Sequence, residues 1–162
     1  MASSLPIYRG PVPMATHQHG GPIERVPVSV FDHASDASRA VAREIVDLVA
    51  ARAAAGRTTV LGLATGSTPV GVYDELVRLH REEGVSFRTV VTFNLDEYWP
   101  MKPESEQSYH SFMSEHLFDH VNILRENIHI PSGLWTAEEV ERRCADYERL
   151  IAQHGEIGRA HV

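Results

Sequence analysis

Two short apolar runs fix most of what this chain can fold into. Thr58–Ala64 (TTVLGLA) and Thr89–Leu95 (TVVTFNL) are almost continuously apolar. That is the pattern of strands buried on both faces of a parallel sheet. Between them Tyr73, Leu76, Val77 and His80 recur at helical spacing, and Gly84 closes the stretch. Strand, helix and strand within about 35 residues is the length of one βαβ crossover. Such a crossover places both strand ends on one edge of the sheet, where ligands of open α/β folds bind. The expected fold class is therefore α/β, a mainly parallel sheet with helices on both faces.

Both runs end in polar residues. The first ends in Thr65-Gly66-Ser67-Thr68-Pro69. Helix N-termini present free N–H groups and the positive end of a dipole, so they bind phosphate. Gly66 allows close approach of the backbone, and the hydroxyls add donors. Pro69 suits a first helical position with Thr68 as its cap. No Gly-Lys-Ser/Thr follows, which argues against a nucleoside triphosphate. By spacing alone, an ordinary strand-to-helix turn explains these residues equally well. The second run ends in Asp96-Glu97. A carboxylate there could move a proton between adjacent carbons of a sugar. A charged pair that only marks the strand's emergence into solvent is the simpler reading of the pattern.

The remaining elements follow from periodicity. Val28–Phe31 reads as a short strand, and Asp32 or Ser35 as the cap of a long helix. That helix would bury Ala37, Val41, Ile45, Leu48 and Val49 and stop at Gly56. Tyr109, Phe112, Met113 and His116 form the inner face of another helix, after a polar loop over 99–107. Ile128–Ile130 is a weak strand. Thr136 and Glu139 read as a capping box, with Trp135 and Val140 as its hydrophobic staple. The helix that follows would bury Val140, Cys144, Tyr147 and Ile151, which makes Cys144 a packing residue. His116 and His120 have a spacing that can hold zinc, but no HExxH pattern or nearby cysteine supports it.

Composition narrows the partners. Hydrophobic residues make up 43% of 162 residues, enough for one domain with a core. The net charge is −7 and the basic residues form no cluster. Neither nucleic acid nor a membrane is the expected partner, while a small anion needs only local donors. The single cysteine and the lack of an apolar leader point to a cytoplasmic location. Lys102, the one lysine, sits in a proline-bounded loop and reads as solvated rather than as a Schiff-base former. Residues 1–27, with five prolines and a Gly-Gly pair, read as a disordered leader, in which His17 and His19 are solvated.

Three segments carry a resemblance. LGLATGSTP (Leu61–Pro69), VSFRTVVTFNLDEY (Val85–Tyr98) and SYHSFMSEHLFDHV (Ser108–Val121) closely resemble glucosamine-6-phosphate deaminases. The similarity runs from about Val26 to about Gly155 and is dense over Val60–Val121. It implies conversion of glucosamine 6-phosphate and water to fructose 6-phosphate and ammonia, with no metal or organic cofactor. By resemblance, Asp96 matches the base that shuttles a proton between C2 and C1. Thr65, Gly66, Ser67 and Thr68 match the phosphate loop, and Glu97, Ser108 and Tyr109 match residues lining the site. The partner implied is a sugar phosphate, and homo-oligomerisation is compatible with it. VLGLATGSTP and FNLDEYWPM also look like a longer bacterial form with a deacetylase-like domain downstream.

The chain departs from that family at its end. The family's ring-opening Asp, His and Glu and its later basic phosphate ligands have no counterpart here. Residues 28–155 are thus expected to be the N-terminal part of a deaminase domain with its sheet cut partway. On its own this chain is expected to be inactive. EIGRAHV, ending at Val162, reads as a non-native tail resembling a translated sequencing adapter. Two rival functions share the fold. One is a 6-phosphogluconolactonase-like hydrolase, since lactonases carry a Gly-Ser-Thr-Pro type loop. The other is a non-catalytic sugar-phosphate-binding regulator, which would need a DNA-binding helix-turn-helix that the short, Pro-rich leader does not provide.

Overall fold

The computed structural model describes residues 28–155. The expected leader (1–27) and tail (156–162) lie outside the described residues. Three strands, β1 (Thr59–Leu63), β2 (Val90–Asn94) and β3 (Ile128–His129), form one parallel sheet in the order β1-β2-β3. Side chains alternate between the two faces of each strand, and each face has its own cover.

On one face Leu61, Leu63 and Val90 pack against α1 (Ala34–Ala54), α2 (Ser67–Glu83) and α3 (Tyr109–His116). Leu76, Leu79 and Met113 are almost wholly buried there. Removing a side chain of that size from water contributes about 1.5–3 kcal/mol. The two long helices touch closely at Gly71, where a Cβ would meet Ser38 Oγ at 2.7 Å. On the other face Val60, Val91 and Phe93 are covered by Tyr147, Leu150 and Ile151 of α4 (Val140–His154). Helices therefore lie on both faces, as the sequence pattern predicts.

Several boundaries differ from the sequence reading. Val28–Phe31 is not a strand: the segment pairs with no strand among the described residues and Val30 is 89% exposed. Four apolar residues form a strand only where a neighbour accepts their backbone bonds. Neither Asp32 nor Ser35 caps α1; His33 holds that position through its carbonyl, which accepts the Asp36 amide at 3.0 Å. The buried stripe of α1 is Ala42, Ile45, Val46 and Val49, and Leu48 faces outward. α2 begins at Ser67 with Gly66 as its N-cap, so Pro69 lies within the first turn and Thr68 is not the cap. Proline is tolerated there because first-turn N–H groups have no intrahelical acceptor. Leu95 has left the sheet and is 89% exposed.

The final helix differs most. Only half of the expected capping box forms: the Glu139 carboxylate accepts the Thr136 amide at 3.1 Å. The Glu139 amide donates to the Thr136 carbonyl instead, and the helix starts at Val140. Val140 is then exposed and staples nothing, and Cys144 is exposed rather than packed. The stripe that reaches the sheet runs through Tyr147, Leu150 and Ile151.

One glycine that the sequence reading passed over holds the loop after β2 in place. The Met101 amide donates to the Gly133 carbonyl at 2.9 Å, and Trp99 Nε1 donates to the Trp135 carbonyl at 2.6 Å. A Cβ on Gly133 would collide with the Tyr98 carbonyl and stand 2.6 Å from the Met101 carbonyl. Gly133→Ala is therefore expected to lower the unfolding free energy by about 1–3 kcal/mol, the usual cost of overpacking. Denaturant melts check this, and an unchanged midpoint would contradict it.

Candidate active site

The sheet register brings the two polar strand ends together. Leu63 of β1 pairs with Asn94 of β2 as the last rung of the ladder. Thr65 and Asp96 each lie two residues beyond that rung, on strands about 4.8 Å apart. They leave the sheet side by side at its carboxyl edge.

Side chains brace this edge by binding strand carbonyls. Asn94 Nδ2 donates to the Leu63 carbonyl at 3.1 Å. Tyr73 donates its hydroxyl to the Ala64 carbonyl at 2.5 Å. Tyr147 donates to the Asn94 carbonyl at 2.8 Å and lies 3.0 Å from that of His129. Burial pushes both phenols well above the ordinary tyrosine value, against the opposing effect of their carbonyl partners. They stay protonated and serve as donors.

Among the described residues, the turn after β1 leaves its own donors unused. Gly66 has φ 105°, a conformation L side chains rarely adopt. No side chain caps α2 and no acidic residue lies in its first turn. The amides of Ser67 and Thr68 have no intrahelical acceptor. Gly66, Ser67 and Thr68 are exposed and Thr65 is half-buried.

Asp96 and Glu97, neighbours in sequence, have opposite surroundings. Asp96 is exposed, and its carboxylate has no hydrogen-bond partner among the described residues. The Glu97 side chain is only 2% exposed. Its Oε1 accepts the Tyr98 amide at 2.8 Å and the Tyr109 amide at 3.0 Å. Its Oε2 accepts the Ser108 hydroxyl at 3.0 Å, the His110 amide at 3.3 Å and His110 Nδ1 at 3.0 Å. Ser108 is fully buried and also caps α3, its hydroxyl oxygen accepting the His110 and Ser111 amides. The rings of Tyr98 and Tyr109 lie 4.8 Å apart beside this network.

The eight residues singled out from sequence thus fall into two groups. Thr65–Thr68 and Asp96 lie at the open edge. Glu97, Ser108 and Tyr109 form the joint between the end of β2 and the start of α3. Sequence reasoning missed Asn94, Tyr73, Tyr147 and His110. Asn94 carried a signal, because a polar residue inside an apolar strand must find a bond or remain costly. Its Oδ1 remains buried without a partner.

His116 packs on the Phe112 ring at 4.4 Å, and the ring of His120 bonds the Glu115 carbonyl at 2.7 Å. Among the described residues no group of three His, Cys, Asp or Glu is placed to hold a metal ion. No helix among them is long and apolar enough to cross a membrane. Lys102 is exposed, as expected. Of two open clefts, about 320 and 410 Å³, neither is lined by Asp96 or by Thr65–Thr68, while His110 and Tyr147 line the second.

The family model described as glucosamine-6-phosphate isomerases/6-phosphogluconolactonase matches residues 32–161. The chain belongs to this family. It is 44% identical over 129 residues to a glucosamine-6-phosphate isomerase of Candida albicans, covering 80% of this chain and 50% of that one. A solved monomeric glucosamine-6-phosphate deaminase superposes with a TM-score of 0.71 at 35% identity, covering 78% of this chain and 50% of that structure. The 6-phosphogluconolactonase of Trypanosoma brucei shares the fold at a TM-score of 0.58 and 23% identity, covering 77% and 49%. The chain spans about half the length of the family members it matches.

The joint has a consequence for acid stability. Burial alone would push the Glu97 carboxyl up, but His110, the Tyr109 and Tyr98 amides and Ser108 outweigh it. The carboxyl lies below its ordinary value of 4.5. A lowered folded pKa contributes stability that is complete above the unfolded value and is lost as pH falls through the folded one. Glu97→Gln cannot titrate, so its stability deficit is expected to narrow on acidification. Urea melts of both proteins at about pH 7 and about pH 3 test this. A deficit that stays constant between them would contradict it.

Proposed function

We propose that the carboxyl edge of β1 and β2 is the sugar-phosphate site of a glucosamine-6-phosphate deaminase. The observation that carries this reading is the shared register. An uncapped helix start with free amides and an unpartnered carboxylate emerge from adjacent strands at the same level. Phosphate suits the first, and a sugar anchored by its phosphate would hold its first carbons near the second.

In this reading the amides and hydroxyls of Thr65–Thr68 bind the phosphate. Asp96 takes the proton from C2 of the open-chain aldose and returns it to C1. The resulting 2-imine adds water at C2, and the carbinolamine so formed expels ammonia, giving fructose 6-phosphate. A carboxylate in solvent contact can exchange the proton without another group. The deaminase reading is favoured over lactone hydrolysis by the similarity to the solved deaminase, at 35% identity against 23% for the lactonase. The single cysteine fits a reducing compartment such as the cytoplasm.

Two variants of the complete gene product test the two halves of the site. Asp96→Asn keeps the shape and removes the base, so turnover of glucosamine 6-phosphate should fall on the order of 100- to 10,000-fold. Substrate binding should change far less, and near-normal turnover would sink the assignment. Gly66→Val forces a branched residue into a left-handed backbone position where the ligand must approach. Affinity for glucosamine 6-phosphate, read by calorimetry, should drop while circular dichroism stays native. Unchanged affinity would reduce the loop to a turn.

A further inference from the structure

Asp96 is exposed and its carboxylate has no hydrogen-bond partner among the described residues, so its position depends on the backbone that carries it. The ladder of β2 ends at Asn94, and Leu95 is already exposed. Beyond that point the Glu97 carboxylate is the first tether in chain order, ahead of the Trp99 and Met101 bonds to the 133–135 segment. It binds the amide of Tyr98 on its own loop and the amides of Tyr109 and His110 on α3. The segment that carries Asp96 is thereby fastened to the first turn of a helix that packs into the core through Met113.

The chemistry of the tether is specific. Both oxygens of Glu97 face only donors: two amides on Oε1, and a hydroxyl, an amide and an imidazole nitrogen on Oε2. Only an ionised carboxylate accepts on both sides. A glutamine would turn its NH2 toward N–H groups on one side and break two or three bonds at once. Buried and with all five donors already engaged, Glu97 has no lone pair turned toward the open edge.

From this arrangement we infer that Glu97 is the positioning residue for Asp96 and does not itself touch the sugar phosphate. His110 acts with it by donating from Nδ1 and from its amide. The inference rests on the reading of Asp96 as the proton-transfer base. Displacing a reacting group by about 1 Å can cost roughly 100-fold in rate while leaving binding nearly intact. Glu97→Gln should therefore lower kcat on the order of 10- to 100-fold.

The test uses the complete gene product with glucosamine 6-phosphate as substrate. Glu97→Gln, Glu97→Asp and Asp96→Asn are compared for kcat, KM and amide hydrogen exchange. For Glu97→Gln the KM should move less than about threefold, since no substrate contact is lost. Exchange should quicken at the Tyr98, Tyr109 and His110 amides and stay unchanged in β1 and β2. Glu97→Asp keeps both oxygens and should recover part of kcat, and it carries the test alone if the glutamine variant fails to fold. A rise in KM with kcat intact would overturn the inference by making Glu97 a substrate contact. Exchange that quickens equally through the core would overturn it by making the role generally structural. If Asp96→Asn is inactive while Glu97→Gln turns over like wild type, only the positioning inference fails. If Asp96→Asn is active, the assignment of the base fails and the inference falls with it.

Discussion

The rung that pairs Leu63 with Asn94 is the constraint on which the rest of the structure depends. Parallel strands joined by a helix must end on the same edge, so every residue just past that rung is delivered to one place. Strand ends are weak points, because their carbonyls have no further ladder partner. Here Tyr73, Asn94 and Tyr147, drawn from α2, β2 and α4, satisfy the carbonyls of Ala64, Leu63 and Asn94. Elements from both faces of the sheet thus converge on the edge and fix it. Slipping the register by one residue would turn Leu61 and Leu63 away from α1 and α2, so the hydrophobic core also enforces the alignment of the polar ends.

Adjacent carboxylates in a sequence invite a single interpretation, yet Asp96 and Glu97 divide the work. Successive residues near a strand end point in opposite directions, so one can meet solvent while the other turns inward. Glu97 turns toward the start of α3 and fills its orphan amides, with Ser108 completing the cap. Asp96 is left without a partner among the described residues. A free carboxylate held by a saturated one is a useful combination for proton transfer. The base keeps its lone pairs for substrate, and rigidity comes from its neighbour.

The sheet and the crossover were legible because buried parallel strands announce themselves as apolar runs, and TTVLGLA and TVVTFNL are such runs. α2 was legible through Tyr73, Leu76 and Val77, all buried in the structure. The failures share a cause, which is tertiary context. Val28–Phe31 has strand-like residues but no pairing strand among the described residues. Leu48 and Cys144 sit beside their helices' buried stripes rather than on them, since the packing partner chooses the stripe. Of the candidate site, the placement of Thr65–Thr68 and Asp96 at one edge was readable from their positions after strands, while their roles came only from the family resemblance. The Glu97 network was not, because its partners lie 11 to 13 residues away and meet it only through the loop. Gly133 gave no local sign at all: its need for a bare Cα comes from the Tyr98 and Met101 carbonyls across the fold.

The central claim is that amides at the start of α2 receive a phosphate beside Asp96. The most direct measurement is a ¹⁵N chemical-shift titration of the complete gene product in its Asp96→Asn form, which is expected to hold substrate while turning it over far more slowly. Glucosamine 6-phosphate should move the amides of Gly66, Ser67 and Thr68 together and saturably. Glucosamine without the phosphate should leave them in place. Shifts confined to other parts of the molecule, or equal responses to both sugars, would contradict the account.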